Sequence, residues 1–167
     1  MIPARIQPFK QDREYASGED RFRMLALAAG KNDHITVSRY ELEQEGVSYT
    51  YLTLRYMQEF FGEDTRLFFI TGTDSFLKID TWKNAPELLT KYSFIIGTRP
   101  GYRQEEYQEA LRRITSAFRT EVISMNKTEL DISATQIREM VAEGKDISGL
   151  LPPEVERYIT EHGLYRV

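Results

Sequence analysis

The stretch RLFFITGTDS, residues 66–75, is the strongest indication of the fold. Its apolar first part, residues 66–71, is typical of a strand that is buried on both faces of a parallel sheet. Gly72 and Asp74 follow this run directly. A glycine lets the backbone approach a ligand closely, and an aspartate after a strand can accept hydrogen bonds from ribose hydroxyls. A plain turn in which Asp74 caps the next helix explains the same residues equally well, so both interpretations stay open.

Apolar runs and helical patterns alternate along the rest of the chain. We predict strands at residues 34–42, 66–71, 92–97 and 121–125. Helices are predicted from the residue after Ser17 to Gly30, from Ser48 or Thr50 to Gly62, at residues 86–90 and 105–118, after Ser133, and from Pro152 to Gly163. This alternation predicts an α/β fold with a parallel sheet and helices on both faces. Such sheets bind ligands beyond the carboxyl ends of their strands, so those loops form the candidate site.

The composition excludes several classes of site. With 167 residues the chain is expected to form a single domain with a substantial core. It contains no cysteine, which excludes disulfides and thiolate chemistry. The two histidines, His34 and His162, lack the spacing of zinc ligands, so no metal site is predicted from side chains. A net charge of −4 argues against a dedicated nucleic-acid binder. No apolar run is long enough to span a membrane, and we expect a cytoplasmic protein.

Residues 132–138, ISATQIR, predict a helix with an anion-binding start. Ser133 and Gln136 have the spacing of a capping box, in which each side chain bonds to the backbone of the other. A helix N-terminus offers unpaired N–H groups and a partial positive charge, which suit a phosphate. Arg138 lies in the first turn, where a cation is unfavourable unless an anion is nearby. The alternative is a solvated arginine on a well-capped surface helix.

Other polar and aromatic residues occur on loops of the same predicted edge. Trp82 follows the 66–75 stretch, and its indole could stack on a planar ring, although a lone tryptophan is more often a core anchor. Arg99 follows the strand at 92–97, and Lys10 ends a proline-rich loop near the start of the chain. Either cation could contact phosphate, but charges on loops are usually only solvated.

Taken together, ordered motifs over essentially the whole chain resemble bacterial nicotinate-nucleotide adenylyltransferases, of the nucleotidyltransferase superfamily. The motifs are IPARIQPFK (2–10), SYTYLT (48–53), ITGTDS (70–75), TW (81–82), RPGY (99–102), ISATQIR (132–138), LPPEV (151–155) and HGLY (162–165). The resemblance implies a Rossmann-like fold. It also implies transfer of AMP from ATP to nicotinate mononucleotide, which gives deamido-NAD and pyrophosphate, with Mg²⁺ accompanying ATP. ATP and nicotinate mononucleotide are thus the expected partners.

The resemblance assigns two sets of ATP-binding residues. Ser133, Thr135 and Arg138 match the segment that binds the ATP phosphates. A second set, in the loop that holds nucleotide and ribose, is Gly72, Asp74 and Ser75.

The resemblance also assigns the nicotinate-nucleotide side of the site. Trp82 matches the aromatic residue that stacks on the nicotinate ring, and Thr53 matches a threonine near the pyridine carboxylate. Lys10 matches a phosphate-binding lysine, and Arg99 matches a further phosphate contact. Arg138 and Lys10 are the residues expected to contribute most to catalysis.

The chain departs from the family pattern at three points. Leu52 stands where an aspartate is common, and Ala134 replaces a usual serine. The glycine-rich opening motif and the His-x-Gly-His pair of the family are not in the sequence. We therefore expect residues 1–167 to be a single nucleotidyltransferase-like domain that lacks its first β–α unit, about 30 or more residues.

Two alternatives to the enzyme remain at this stage. One is a non-catalytic nucleotide-binding remnant, and the other is a sister adenylyltransferase with another acceptor. Loss of a strand would also expose a sheet edge, which makes a homo-oligomer a possible state.

Overall fold

The computed structural model describes residues 1–8, 16–30, 32–97, 104–125 and 132–166. Its contacts divide the chain into two compact units, one comprising Met1–Ser48 with Ile132–Val167 and the other Tyr49–Asp131. The single domain over residues 1–167 stays a prediction, and each unit is described by itself.

The described residues contain eight α-helices and three strands. The helices are α1 (Gly18–Ala29), α2 (Tyr40–Glu43), α3 (Thr50–Phe61), α4 (Thr73–Phe76), α5 (Ala85–Lys91), α6 (Gln104–Phe118), α7 (Ala134–Ala142) and α8 (Pro153–Glu161). The strands are β1 (Phe68–Gly72), β2 (Ser93–Gly97) and β3 (Val122–Met125), and a 3₁₀ turn covers Ile79–Thr81. All of the predicted helices are confirmed close to their expected bounds, and α2 and α4 are additional.

The second unit is built on a parallel sheet in the order β1-β2-β3. In its register, Phe69 lies beside Phe94 and Gly72 lies beside Gly97. Parallel strands joined by helical crossovers confirm the predicted α/β class.

One face of this sheet forms the main hydrophobic core. Phe94 and Ile96 of β2 are fully buried, as are the α5 side chains Leu88 and Leu89 and the α6 side chain Ile114. Burying each of these large apolar side chains stabilises the fold by about 1.5–3 kcal/mol. The β1–β2 pair is therefore held from one side by an apolar layer.

The opposite face differs from the sequence expectation for residues 66–71. Ile70, Ile95 and Ile123 are register partners and thus share one face. Ile70 is 68% exposed and Ile123 is 42% exposed. The prediction that the strand at 66–71 is buried on both faces is wrong on this point, because composition alone does not reveal which face is covered.

The predicted strand at residues 34–42 is also wrong. Residues 34–39 are not in a strand, and α2 occupies Tyr40–Glu43. Two residues of the run form backbone hydrogen bonds with Met1. The Met1 ammonium donates to the Thr36 carbonyl, and the Ser38 N–H donates to the Met1 carbonyl at 2.9 Å. A β-prone run becomes a sheet strand only when it gains a longer partner.

The first unit is stabilised by its helix caps and by the packing of α1 against α8. Ser17 caps α1, accepting from the Asp20 N–H at 3.0 Å. The Tyr158 hydroxyl of α8 donates to Asp20 Oδ1 at 2.9 Å. Hydrogen bonds from Ser17 and then from Tyr158 lower the pKa of Asp20. The buried apolar side chains described in this unit include Ala29, Ile137, Ile147, Val155 and Ile159.

An ion pair ties α3 to α5 in the second unit. The Arg55 guanidinium donates to both carboxylate oxygens of Glu87, with Nε 2.6 Å from Oε1. Asn84 also donates to Glu87, and Lys91 Nζ lies 3.6 Å from it. The hydrogen bonds from Arg55 are the main reason that the pKa of Glu87 falls from 4.5 to about 2.

We expect Glu87→Gln to lower the free energy of unfolding at pH 7 by about 1 kcal/mol, since Arg55 is half exposed. A lowered folded-state pKa contributes stability above the unfolded pKa of 4.5, and this contribution is lost as the pH falls toward about 2. Urea unfolding at pH 7 and at pH 3 should therefore show a smaller difference between parent and variant at the lower pH. The control is Glu59→Gln, an exposed glutamate of α3. If the difference in free energy of unfolding between parent and Glu87→Gln did not change with pH, the stabilising role of the ionised Glu87 carboxylate would be contradicted.

Candidate active site

The carboxyl edge of β1 and β2 is shaped by two adjacent glycines. Gly72 ends β1, Gly97 ends β2, and the two are register partners. Helix α4 begins directly after Gly72. Its first residue, Thr73, is fully buried and donates from Oγ1 to the Gly97 carbonyl at 3.3 Å. The turn after β1 is thereby fastened to the end of β2.

Asp74 and Ser75 lie exposed on the first turn of α4. A β-carbon built on Gly72 would be 3.7 Å from Asp74 Oδ1, so the carboxylate lies beside the glycine. The N-cap of α4 is Gly72, and no side chain caps this helix. The interpretation of Asp74 as a helix cap therefore loses its support. An exposed carboxylate at the carboxyl edge of a parallel sheet is placed to accept from a ligand hydroxyl.

Trp82 is half-buried against the core of the second unit. Its ring meets Phe69 of β1 edge to face, with the centroids 6.0 Å apart. The core-anchor interpretation is thus correct for part of the indole. The remaining surface of the ring is exposed and leaves stacking on a ligand open.

Thr53 faces inward from α3 and is 7% exposed, whereas its neighbour Leu52 is 41% exposed. A threonine hydroxyl in such a position needs hydrogen-bond partners. Its predicted role near a pyridine carboxylate stays a prediction.

In the first unit, the start of α7 has the capping box predicted from the sequence. Ser133 Oγ accepts from the Gln136 N–H at 3.1 Å, and Gln136 Oε1 accepts from the Ser133 N–H at 2.7 Å. Ile137, 9% exposed, anchors the helix. Ser133 can still donate its hydroxyl proton to an anion, because the box uses only the oxygen as an acceptor.

Arg138 lies beside the same helix start. Its Nη2 donates to Thr135 Oγ1 at 3.2 Å, so two of the predicted phosphate-binding residues contact each other. This hydrogen bond holds a cation next to the first turn of α7, where the macrodipole alone would disfavour it. Such a placement suits a site whose ligand is strongly negative.

Two predicted residues, Lys10 and Arg99, lie outside the described residues, and their roles stay predictions. The other predicted residues fall into two sets, one in each unit: Ser133, Thr135 and Arg138 in the first, and Thr53, Gly72, Asp74, Ser75 and Trp82 in the second. Thr73 was missed by the sequence reasoning, since its link to Gly97 depends on the register of two strands.

A cavity of about 690 Å³ opens at the other end of the strands. Its lining comes mainly from the end of α3 and from the segments that lead into β1 and β2: Arg55, Gln58, Glu59, Glu63, Asp64, Thr65, Arg66, Leu67, Lys91, Tyr92 and Ser93. All three cations of this lining are already paired, Arg55 and Lys91 with Glu87 and Arg66 with Glu121. This amino-edge cavity lies away from the edge at which parallel sheets bind nucleotides.

Two other features are absent from the described ranges. No group of three or more His, Cys, Asp or Glu residues is arranged to hold a metal ion in that part of the chain. Among the same residues, no helix has the length and apolar character needed to cross a bilayer.

Comparison with known proteins shows which sequences this chain resembles. The cytidylyltransferase-like family matches residues 1–140. A probable nicotinate-nucleotide adenylyltransferase of Thermoanaerobacter sp. (strain X514) is 39% identical over 166 residues, 99% of this chain and 79% of that protein. A protein of the same description from Moorella thermoacetica is 38% identical, covering 99% of this chain and 76% of its own length.

A solved structure supports the fold independently. Plasmodium falciparum nicotinic acid mononucleotide adenylyltransferase complexed with NaAD is similar with a TM-score of 0.72, over 98% of this chain and 80% of that chain. The sequence identity is 21%, so this likeness concerns the fold alone. It confirms the predicted Rossmann-like class.

We expect Ser133→Ala to remove one half of the capping box and to lower the free energy of unfolding by about 1 kcal/mol. Chemical denaturation of parent and variant measures this difference. Glu139→Gln, an exposed residue of the same helix, serves as the control and should leave stability unchanged. Equal stability of Ser133→Ala and the parent would show that the box does not hold the helix start.

Proposed function

This chain belongs to the nicotinate-nucleotide adenylyltransferase family, and we propose that it transfers the adenylyl group of ATP to nicotinate mononucleotide. The observation that carries the proposal is 39% identity over 99% of the chain to a relative of that description. The carboxyl-edge geometry supports it, because Gly72, Asp74 and Ser75 lie where parallel sheets bind nucleotides.

The reaction needs positioning and charge stabilisation more than covalent help. A phosphate oxygen of nicotinate mononucleotide attacks the α-phosphorus of ATP, and the bond from this phosphorus to the β-phosphate oxygen breaks. The products are deamido-NAD and pyrophosphate. Negative charge grows on the departing pyrophosphate, so cations and N–H donors that meet it there accelerate the step.

The start of α7 supplies such donors in our proposal. Arg138, held by Thr135, binds the ATP phosphates together with the Ser133 hydroxyl and the N–H groups of the first turn. Lys10 is proposed as the second catalytic cation, and Arg99 as a further phosphate contact. A fixed guanidinium stabilises the developing charge without reorganisation during the reaction.

The loop after β1 is proposed to hold the nucleoside part of ATP. The Asp74 carboxylate accepts from ribose hydroxyls, Gly72 allows close approach of the backbone, and Ser75 donates its hydroxyl. On the acceptor side, Trp82 stacks on the nicotinate ring and Thr53 lies near its carboxylate. The contact of Trp82 with Phe69 would keep the exposed part of the indole in a fixed orientation.

Magnesium enters the proposal with ATP. Mg²⁺ prefers oxygen ligands, keeps several waters and is often held mainly by substrate phosphates. The described residues form no cage of three carboxylates or histidines, which fits an ion carried by the nucleotide. When bound, the ion would neutralise charge on the phosphates. Because ATP is the substrate, we place the enzyme in the cytoplasm.

The test is pyrophosphate release by the purified chain with ATP, Mg²⁺ and nicotinate mononucleotide, with nicotinamide mononucleotide as the competing acceptor. We expect nicotinate mononucleotide to be preferred over nicotinamide mononucleotide. Arg138→Gln should lower kcat about 10²–10³-fold, the range for removing one donor to developing charge, without changing the unfolding midpoint. Arg157→Gln, an exposed arginine of α8, is the matched control and should retain activity.

Two results would contradict the proposal. Turnover with another acceptor but not with either pyridine nucleotide would indicate a sister adenylyltransferase. Nucleotide binding without any pyrophosphate release would indicate a non-catalytic remnant.

A further inference from the structure

A glycine that the family resemblance does not assign, Gly97, lies at the centre of the carboxyl edge. It ends β2, the middle strand, between Gly72 of β1 and Met125 of β3. Glycine weakens a strand. The usual reasons for finding one there are special backbone angles, a bulge, close protein packing or close approach of a ligand.

Backbone geometry does not require glycine at position 97. Its φ lies outside the left-handed region, unlike those of Gly30, Gly46 and Gly62. The ladder is continuous on both sides, with one residue opposite one residue, so the strand has no bulge there.

Among the described residues, packing does not require it either. A β-carbon on Gly97 would lie 3.9 Å from the Thr71 carbonyl oxygen, which is ordinary van der Waals contact and the nearest described atom. A packing glycine looks different: at Gly18 the added carbon would come within 2.8 Å of Leu42. Within the described part of the chain, close approach of a ligand is the one reason of the four that remains.

The surroundings indicate which part of a ligand approaches. Gly72 and Gly97 share one face of the sheet, and the carboxylate of Asp74 lies 3.7 Å from where a Gly72 β-carbon would be. A ribose whose hydroxyls donate to Asp74 therefore meets two adjacent residues without side chains. The Thr73 hydrogen bond to the Gly97 carbonyl fixes the spacing of this surface.

We infer that Gly97, together with Gly72, forms the surface on which the ribose and base of the adenylyl nucleotide pack. Gly97 is then a binding residue because it has no side chain that would occupy the space of the nucleoside. This inference rests on the proposed function and adds a residue to its ATP site.

The experiment compares Gly97→Ala and Gly97→Val with the parent chain and with Ile95→Val, a control on the same strand and face. Calorimetry measures the affinity for a non-hydrolysable ATP analogue, and competition measures the affinity for tripolyphosphate, which lacks a nucleoside. Unfolding midpoints are recorded for all four proteins.

We expect Gly97→Val to weaken binding of the ATP analogue about ten-fold or more, and Gly97→Ala to weaken it less. Tripolyphosphate affinity should not change. The Gly97→Ala midpoint should equal or exceed that of the parent, because alanine reduces the entropy of the unfolded chain. A binding loss without a stability loss is the result that a purely structural glycine would not produce.

Three results would overturn the inference: parental affinity in Gly97→Val, equal losses for the ATP analogue and tripolyphosphate, or a parent that binds no adenine nucleotide. The last result would overturn the proposed function as well. If the parent binds the analogue and Gly97→Val does not, yet no pyrophosphate is released, the proposed function fails and the inference stands.

Discussion

The parallel pairing of β1 with β2 is the constraint on which the rest of the second unit depends. Its register places Gly72 beside Gly97, and the buried Thr73 hydroxyl fastens the following turn to the Gly97 carbonyl. The apolar layer under Phe94 and Ile96 holds this pair in place. Because the strands cannot slide without exposing that layer, the exposed Asp74 carboxylate keeps a fixed position beside the paired glycines Gly72 and Gly97.

The two units contribute different chemistry. In the second unit, neutral backbone and one carboxylate are suited to the nucleoside. In the first, the capped start of α7 and the Arg138–Thr135 hydrogen bond are suited to phosphate charge. In the proposed reaction the nucleoside must be oriented while negative charge moves onto pyrophosphate.

The sequence predicts well those features that depend on residues close together along the chain. Ser17 with Asp20, and Ser133 with Gln136, mark helix starts because capping involves residues three positions apart. The features that the sequence does not predict depend on contacts between residues far apart along the chain. Residues 34–42 are β-prone, but in the described part of the chain Thr36 and Ser38 form backbone hydrogen bonds with Met1 and not with a neighbouring strand. The exposure of Ile70 depends on which sheet face is covered. The importance of Gly97 appears only once the register sets it beside Gly72.

The central claim, that nucleotide binds at the carboxyl edge, is tested most directly by titrating ¹⁵N-labelled chain with deamido-NAD and following the backbone amides. The account predicts that the largest shifts fall on residues 72–75, on Gly97 and on residues 133–138. Shifts confined to the amino-edge cavity, at Arg66, Lys91 and Ser93, or no shifts at all at saturating ligand, would contradict it.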